Sequence, residues 1–381
     1  DNENQNAIAQ RCFWRDRMYW NNFLELINKK ERTIMGLMSG TSADGLDIAI
    51  VSFSGAGRRT NFRLIDFKSF DYPEGFKQRI IKTYDPSLSS VKDVTLMNFE
   101  IARMHAKMVK QLCIKVDAVG YHGQTVYHMP QERATLQIGE ADVLAVELGV
   151  PIIHSFRTKD MALGGEGAPI TSYFDWVFFR KPHTIVLNIG GIANVTYIND
   201  TILAFDTGPG NCLIDLYVKE NFNLQYDKNG NLASNGKIDR RILEELIEKD
   251  RDYLNKKPPK TTGREWYNKE FLRGLPAKDC DTLRTLTYFT AFCIHENIIR
   301  YLPKAERIYV FGGGAFNKVI LEDLRSFGYK VLVPTKTFAK AREAISMALL
   351  ANDFLNGVPT NIPSVTGAQR AAILGKIALP W

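Results

Sequence analysis

The chain is thin in several features that would have fixed its class at once. Among 381 residues there are five cysteines, Cys12, Cys113, Cys212, Cys280 and Cys293, with no Cys-x-x-Cys pair. That count and spacing exclude a zinc knuckle or a disulfide frame and read as reduced core thiols in a cytoplasmic protein. No stretch approaches the ~18 apolar residues of a membrane helix, and Asp1 to Gln10 are too polar for the core of a secretory leader. No G-x-x-x-x-G-K-[ST] occurs, which argues against a Walker-type NTPase. Net charge is +7, yet the Lys and Arg residues are scattered. Scattered charge favours small anionic ligands over nucleic acid, which calls for basic stripes.

What is present is ordinary in amount and informative in order. Hydrophobic residues make up 45% and charged residues 24%, as in globular proteins. The length predicts two domains. Trp14, Met18, Trp20, Phe23, Leu24, Leu26 and Ile27 predict an amphipathic helix in an N-terminal extension, residues 1–33. From Ile34 on, strand and helix signals alternate, predicting an α/β protein with mixed sheets. Met97, Ile101, Met104, Met108 and Leu112 recur at helical spacing, as a core-facing stripe. Two strand–turn–strand units, Met35–Phe53 and Val186–Ile198, echo each other about one domain apart.

The first of these turns is the richest in chemistry. Gly36 to Asp47 reads GLMSGTSADGLD. Ser39, Gly40, Thr41 and Ser42 bring amides and hydroxyls close to an anion, with little side chain in the way. Asp44 and Asp47 could hold a metal or its waters. A serine-rich hairpin turn with no ligand is the plainer alternative. In the second turn, Gly190 and Gly191 offer backbone amides. Gly312, Gly313 and Gly314 follow a strand and open a helix, as a close approach to a flat ring or as a permissive turn. Asn211 of Asp206-Thr207-Gly208-Pro209-Gly210-Asn211 is a predicted helix N-cap. Asp160, after a strand and before a glycine-dense loop, could accept a proton or could stabilise its own turn. His122, Gln124 and Thr125 are placed just past a strand ending at Tyr121, where α/β proteins bind ligands. No histidine or cysteine set has metal-ligand spacing.

Taken together these segments resemble the anhydro-N-acetylmuramic acid kinase family. The matching pieces are Gly36–Asp47, His122–Thr125 with His128, Thr135–Glu140 (TLQIGE), Phe156–Pro169 (FRTKDMALGGEGAP), Asn188–Asn194 (NIGGIAN), Asp206–Asn211, Gly312–Asn317 (GGGAFN) and Asn361–Ala368 (NIPSVTGA). The resemblance implies a two-lobed actin-like fold with a ligand cleft between lobes. Lobe I would take 34–156 with 345–381 returning to it, and lobe II 157–344. It further implies a cytoplasmic homodimer that uses ATP and Mg²⁺ to open the 1,6-anhydro ring and phosphorylate O6, with neither nucleic acid nor membrane as partner. Carried over residue by residue, Gly40, Thr41, Ser42, Ala43, Asp44, Gly45, Leu46 and Asp47, with Gly190, Gly191 and Gly312 to Gly314, would bind the nucleotide. Asp160 would be the general base, and His122, Gln124, Thr125, Gly164 and Gly165 would meet the sugar. Residues 1–30 have no counterpart in that family, and Lys336–Arg342 is more basic than its pattern. A kinase of another small sugar or acid, or an ATP-gated binding protein, would share the glycine turns.

Overall fold

The apolar run after Arg32 forms β1 (Glu31–Ser39), whose core-facing residues Met35 and Leu37 are fully buried. In the computed structural model, which describes residues 20–199, 202–302 and 304–380, these segments assort into two units. The first runs to Val177 and resumes at Lys340, and the second is Phe178–Ala339.

In the first unit β1 pairs antiparallel with β2 (Gly45–Ser54), and β2 with β3 (Asn61–Asp71). On its other edge β1 runs parallel to β4 (Ala118–Met129), and β4 to β6 (Ile152–His154), with β5 (Ala134–Ile138) hairpinned onto β4. The helix Val91–Lys110 covers this sheet. A reciprocal capping box of Ser90 and Asp93 starts it. Such caps are worth about 1 kcal/mol. Its predicted stripe buries Met97, Ile101 and Met108, each worth roughly 1.5–3 kcal/mol.

The second unit repeats the plan. The strands β7 (Thr184–Ile189), β8 (Ile192–Ile198) and β9 (Ile202–Pro209) form an antiparallel meander. Parallel strands β10 (Arg307–Phe311) and β11 (Lys330–Leu332) extend it from the β7 edge. The order β3-β2-β1-β4-β6 thus matches β9-β8-β7-β10-β11. In the first unit β12 (Lys376–Ala378) adds an antiparallel edge to β6.

Several expectations shift. The units part after Val177 and Ala339, not after 156 and 344, so Asp160 belongs to the first unit. Side-chain bonds from 157–177 hold that stretch there: Tyr173 Oη donates to Asp353 at 2.6 Å, and Arg342 pairs with Asp175. His122 to Thr125 lie inside β4, since strand pairing continues through Gly123 into the β5 hairpin. The strand β3 went unread because its alternation breaks at Leu64–Ile65, where Ile65 bulges out of the pairing with β2, leaving neither an apolar run nor an unbroken period of two. Residues 20–28 are helical and Leu26 is buried, while Trp14 and Met18 lie outside the described residues.

Candidate functional site

The first turn joins β1 to β2. Ala43 N–H donates to Gly40 O at 3.0 Å, with Ala43 in the left-handed region and fully buried. Thr41 and Ser42 stand exposed at the tip. Gly45 lies against β3, where a Cβ would come 2.0 Å from Phe70 O. Gln124 of β4 latches the turn: its Nε2 donates to Gly40 O at 2.9 Å, and its Oε1 accepts from Ser39 Oγ. Ser39 Oγ also lies 2.9 Å from Tyr72 Oη. That hydroxyl meets His105 Nε2, and His105 Nδ1 meets Tyr121 Oη at 2.9 Å. Complete burial holds His105 neutral, its pKa pushed down to about 3. A polar chain of five side chains therefore runs through an apolar core and ends on the turn.

The two carboxylates of this segment are not alike. Asp44 is exposed and paired with Lys77, which, with Ser42, holds its carboxyl below the usual range. Asp47 accepts from Ser69 Oγ, and partial burial raises its pKa. Glu343 is raised too, chiefly by desolvation, with Arg342 pulling it down and Asp47 pushing it up. Its side chain retains surface exposure, so the desolvation reflects surrounding protein more than full enclosure. Among the described residues no group of three or more His, Cys, Asp or Glu could hold a metal.

Asp160 sits in the short helix Thr158–Ala162 and is 1% exposed. Its Oδ1 accepts from Asn361 Nδ2 at 2.9 Å and Thr366 Oγ1 at 2.8 Å, and its Oδ2 from Gly167 N–H at 2.8 Å. Gly165 admits the carboxylate, since a Cβ there would lie 2.3 Å from Oδ2. Gly164, with φ +85°, lies beside the Arg133 guanidinium. A void of about 20 Å³ borders Asp160, Gly167, Asn361 and Thr366, room for about one water.

Arg157, one turn before Asp160, ties this cluster to β4. Its Nη1 donates to Gly167 O at 2.7 Å and its Nε to His122 Nε2 at 3.1 Å. His122 Nδ1 lies 2.9 Å from Gly123 O, so the neutral ring donates there and accepts from Arg157. Burial, then Arg157, pushes the His122 pKa down to about 3. Thr41, Thr125 and His128 share the wall of a cavity of about 280 Å³. His128 Nε2 is buried without a hydrogen-bond partner. Hence the turn, the His122–Thr125 run, the Asp160 loop and Asn361–Thr366 converge within one unit. Sequence reasoning missed Arg157, although a cation three residues before the candidate base was legible as its neighbour on a helical turn.

The corresponding turn of the second unit is built differently. Gly190 N–H already donates to Ile192 O at 3.2 Å. The carbonyls of Gly190 and Gly191 accept from the amides of Gly210, Asn211 and Cys212. Asn211 does not cap its helix by side chain; its Nδ2 donates to Ile189 O and Gly190 O. Gly312 and Gly314 press on Ile189, where Cβ atoms would come within 2.5 and 2.3 Å, so packing alone accounts for both. Gly313 is the least crowded of the three.

Glycine turns stand at matching corners of two like sheets, and in the first unit the strand that latches the hydroxyl-rich turn is also tied, through His122 and Arg157, to the loop of a buried carboxylate; this is a site suited to an α/β phosphotransferase. Comparison with known proteins makes this particular. The model of the family described as anhydro-N-acetylmuramic acid kinase matches residues 32–380, and the chain belongs to that family. A relative of that name from Caldanaerobacter subterraneus subsp. tengcongensis is 38% identical, covering 93% of this chain and 99% of its own. One from Salinibacter ruber is 37% identical over 94% and 98%. Among solved structures, a ligand-bound xylulose kinase from Lactobacillus acidophilus aligns over 92% of this chain at 10% identity and a TM-score of 0.42. Kinase membership brings ATP as the phosphoryl donor.

Proposed function

We propose that the protein opens the 1,6-anhydro ring of anhydro-N-acetylmuramic acid with water and phosphorylates O6, giving N-acetylmuramate 6-phosphate in cell-wall recycling. The relatives' shared name supports the substrate. The observation that carries the chemistry is the Asp160 carboxylate, fixed by three donors beside a water-sized void. Asp160 takes a proton from water as its oxygen attacks C1. The C1–O6 bond breaks, O6 keeps the electron pair and attacks the γ-phosphorus, and ADP leaves. Arg157 and His122 hold the Asp160 loop in register with the strand that latches the first turn. The exposed hydroxyls of Thr41 and Ser42 receive phosphoryl oxygens. A sugar hydroxyl in the cavity of Thr41, Thr125 and His128 would satisfy the unpartnered His128 nitrogen.

Asp47 and Glu343, which feel each other's charge, would hold Mg²⁺ as the nucleotide's companion, since this ion commonly takes one or two carboxylates plus phosphates. When bound it neutralises charge on the transferring group. Cytoplasmic location and a homodimer belong to the same reading; among the described residues no helix is long and apolar enough to cross a membrane. A coupled assay of ADP release tests the proposal. Turnover should require the anhydro sugar, and free hexoses replacing it equally well would favour a kinase of another sugar.

A further inference from the structure

We infer that Arg264 is the cationic contact for a nucleotide's phosphoryl oxygens at the second glycine turn. The inference rests on the proposed kinase activity and on the family resemblance by which Gly190 and Gly191 would bind the nucleotide. What prompts it is a shortage. The turn was expected to bind an anion through its own amides, but Gly190 N–H is already occupied by Ile192 O, which leaves Gly191 N–H as the remaining glycine amide. No side chain in the turn itself carries a positive charge. An anion placed there meets no positive charge in the turn and needs a charged donor from elsewhere.

Arg264 is that donor by position. Its guanidinium turns the Nε–Nη2 edge toward Gly191: a Cβ built on Gly191 would sit 2.9 Å from both Nε and Nη2. Gly191 is therefore needed for the arginine to occupy this place, which gives the glycine a reason that turn geometry does not. The side chain is exposed and makes no hydrogen bond or ion pair with any described residue. The acidic group that feels it is Asp215, whose pKa burial raises to about 6 while Arg264 pulls it down; the thiol of Cys212 feels it as well.

The backbone beneath Arg264 is pinned on both sides. Thr262 N–H donates to Asp206 Oδ2 at 3.0 Å, and Asp206 N–H in turn to Lys260 O at 3.0 Å. After it, Trp266 Nε1 and Tyr267 Oη both donate to the buried Asp250 carboxylate at 3.0 Å. A free guanidinium on an anchored loop, aimed at a glycine turn, loses little freedom on taking a phosphate, and its planar fork matches that group. Sequence reading passed over Arg264 because it lies in a stretch with neither strand nor helix pattern.

Equilibrium titration with ATP, ADP and adenosine, without sugar, tests the assignment. Arg264→Gln should weaken ATP about 10- to 100-fold, ADP less or equally, and adenosine not at all, with an unchanged melting temperature. Arg264→Lys should restore part of the loss. Gly191→Ala, which displaces the guanidinium without removing it, should act in the same direction as Arg264→Gln. Equal ATP affinity in wild type and Arg264→Gln overturns the inference and leaves the proposed kinase activity standing. Equal losses for ATP and adenosine also overturn it, since they would mark a structural role. Failure of the wild type to bind ATP at all would remove the reading beneath it.

Discussion

The two glycine turns occupy equivalent corners of sheets with the same strand order, yet they solve opposite problems. The first is open: its tip residues Thr41 and Ser42 are exposed, and side chains from β4 and the core hold it in shape from below. The second is closed by backbone: helix and turn satisfy each other, and two further glycines, Gly312 and Gly314, pack on its strand end. A turn that keeps its polar groups free needs a latch behind it. A turn that uses them internally needs none, but it must borrow charge from a neighbouring loop. Duplication of topology therefore does not duplicate chemistry: in the first unit the buried Asp160 carboxylate borders room for a water.

The sharpest way to break this comparison is Asp160→Asn. If the carboxylate accepts the proton, kcat should fall by about 10²–10⁴-fold. Affinity for ATP should stay within a few-fold. Activity near wild type would reduce Asp160 to a turn-stabilising residue.

Removing the latch should come next in size. Gln124→Leu removes one partner each from Gly40 O and Ser39 Oγ and should cost about 1–3 kcal/mol of stability, together with a higher KM for ATP. The matched change in the second unit, Asn211→Leu, should cost a similar amount in denaturant unfolding. It should disturb ATP affinity less, because backbone bonds still hold that turn. Equal effects on KM from both variants would erase the distinction between a latched and a self-satisfied turn.

A further expected effect concerns pH. His105 falls from the ordinary 6.5 to about 3 on burial. Between those values the unfolded chain binds a proton that the native chain does not. The stability held by neutral His105 is therefore complete above about pH 6.5 and is lost as pH falls toward 3, at up to about 1.4 kcal/mol per pH unit. Unfolding of His105→Gln should decline less steeply over that window than the wild type. Parallel declines would mean that the ring is protonated in the fold.

Much of the scaffold was legible because its signals are local. The strands flanking both turns, the Met97–Met108 stripe and the strand at Arg307–Phe311 each announce themselves within a dozen residues. The site was legible only in pieces. Asp160 and the turn residues stand in dense glycine and hydroxyl patterns, but the partners that give them meaning are remote: Asn361 and Thr366 lie some two hundred positions from Asp160. His105 looks like one more residue of a core stripe, and nothing nearby in sequence marks its bonds to Tyr72 and Tyr121. The unit boundary was misplaced for the same reason. Phe156–Val177 reads as a glycine-rich departure from the first sheet, while its anchors, Arg342 and Asp353, come after the chain has crossed and returned.

One isotope measurement tests the central claim most directly. Reaction with ATP and anhydro-N-acetylmuramic acid in ¹⁸O-enriched water should give a 6-phosphosugar carrying the heavy oxygen at C1 and none in the bridging O6 position. A 6-phosphosugar without label at C1 would mean that no water attacks there, leaving the carboxylate of Asp160 without the role assigned to it.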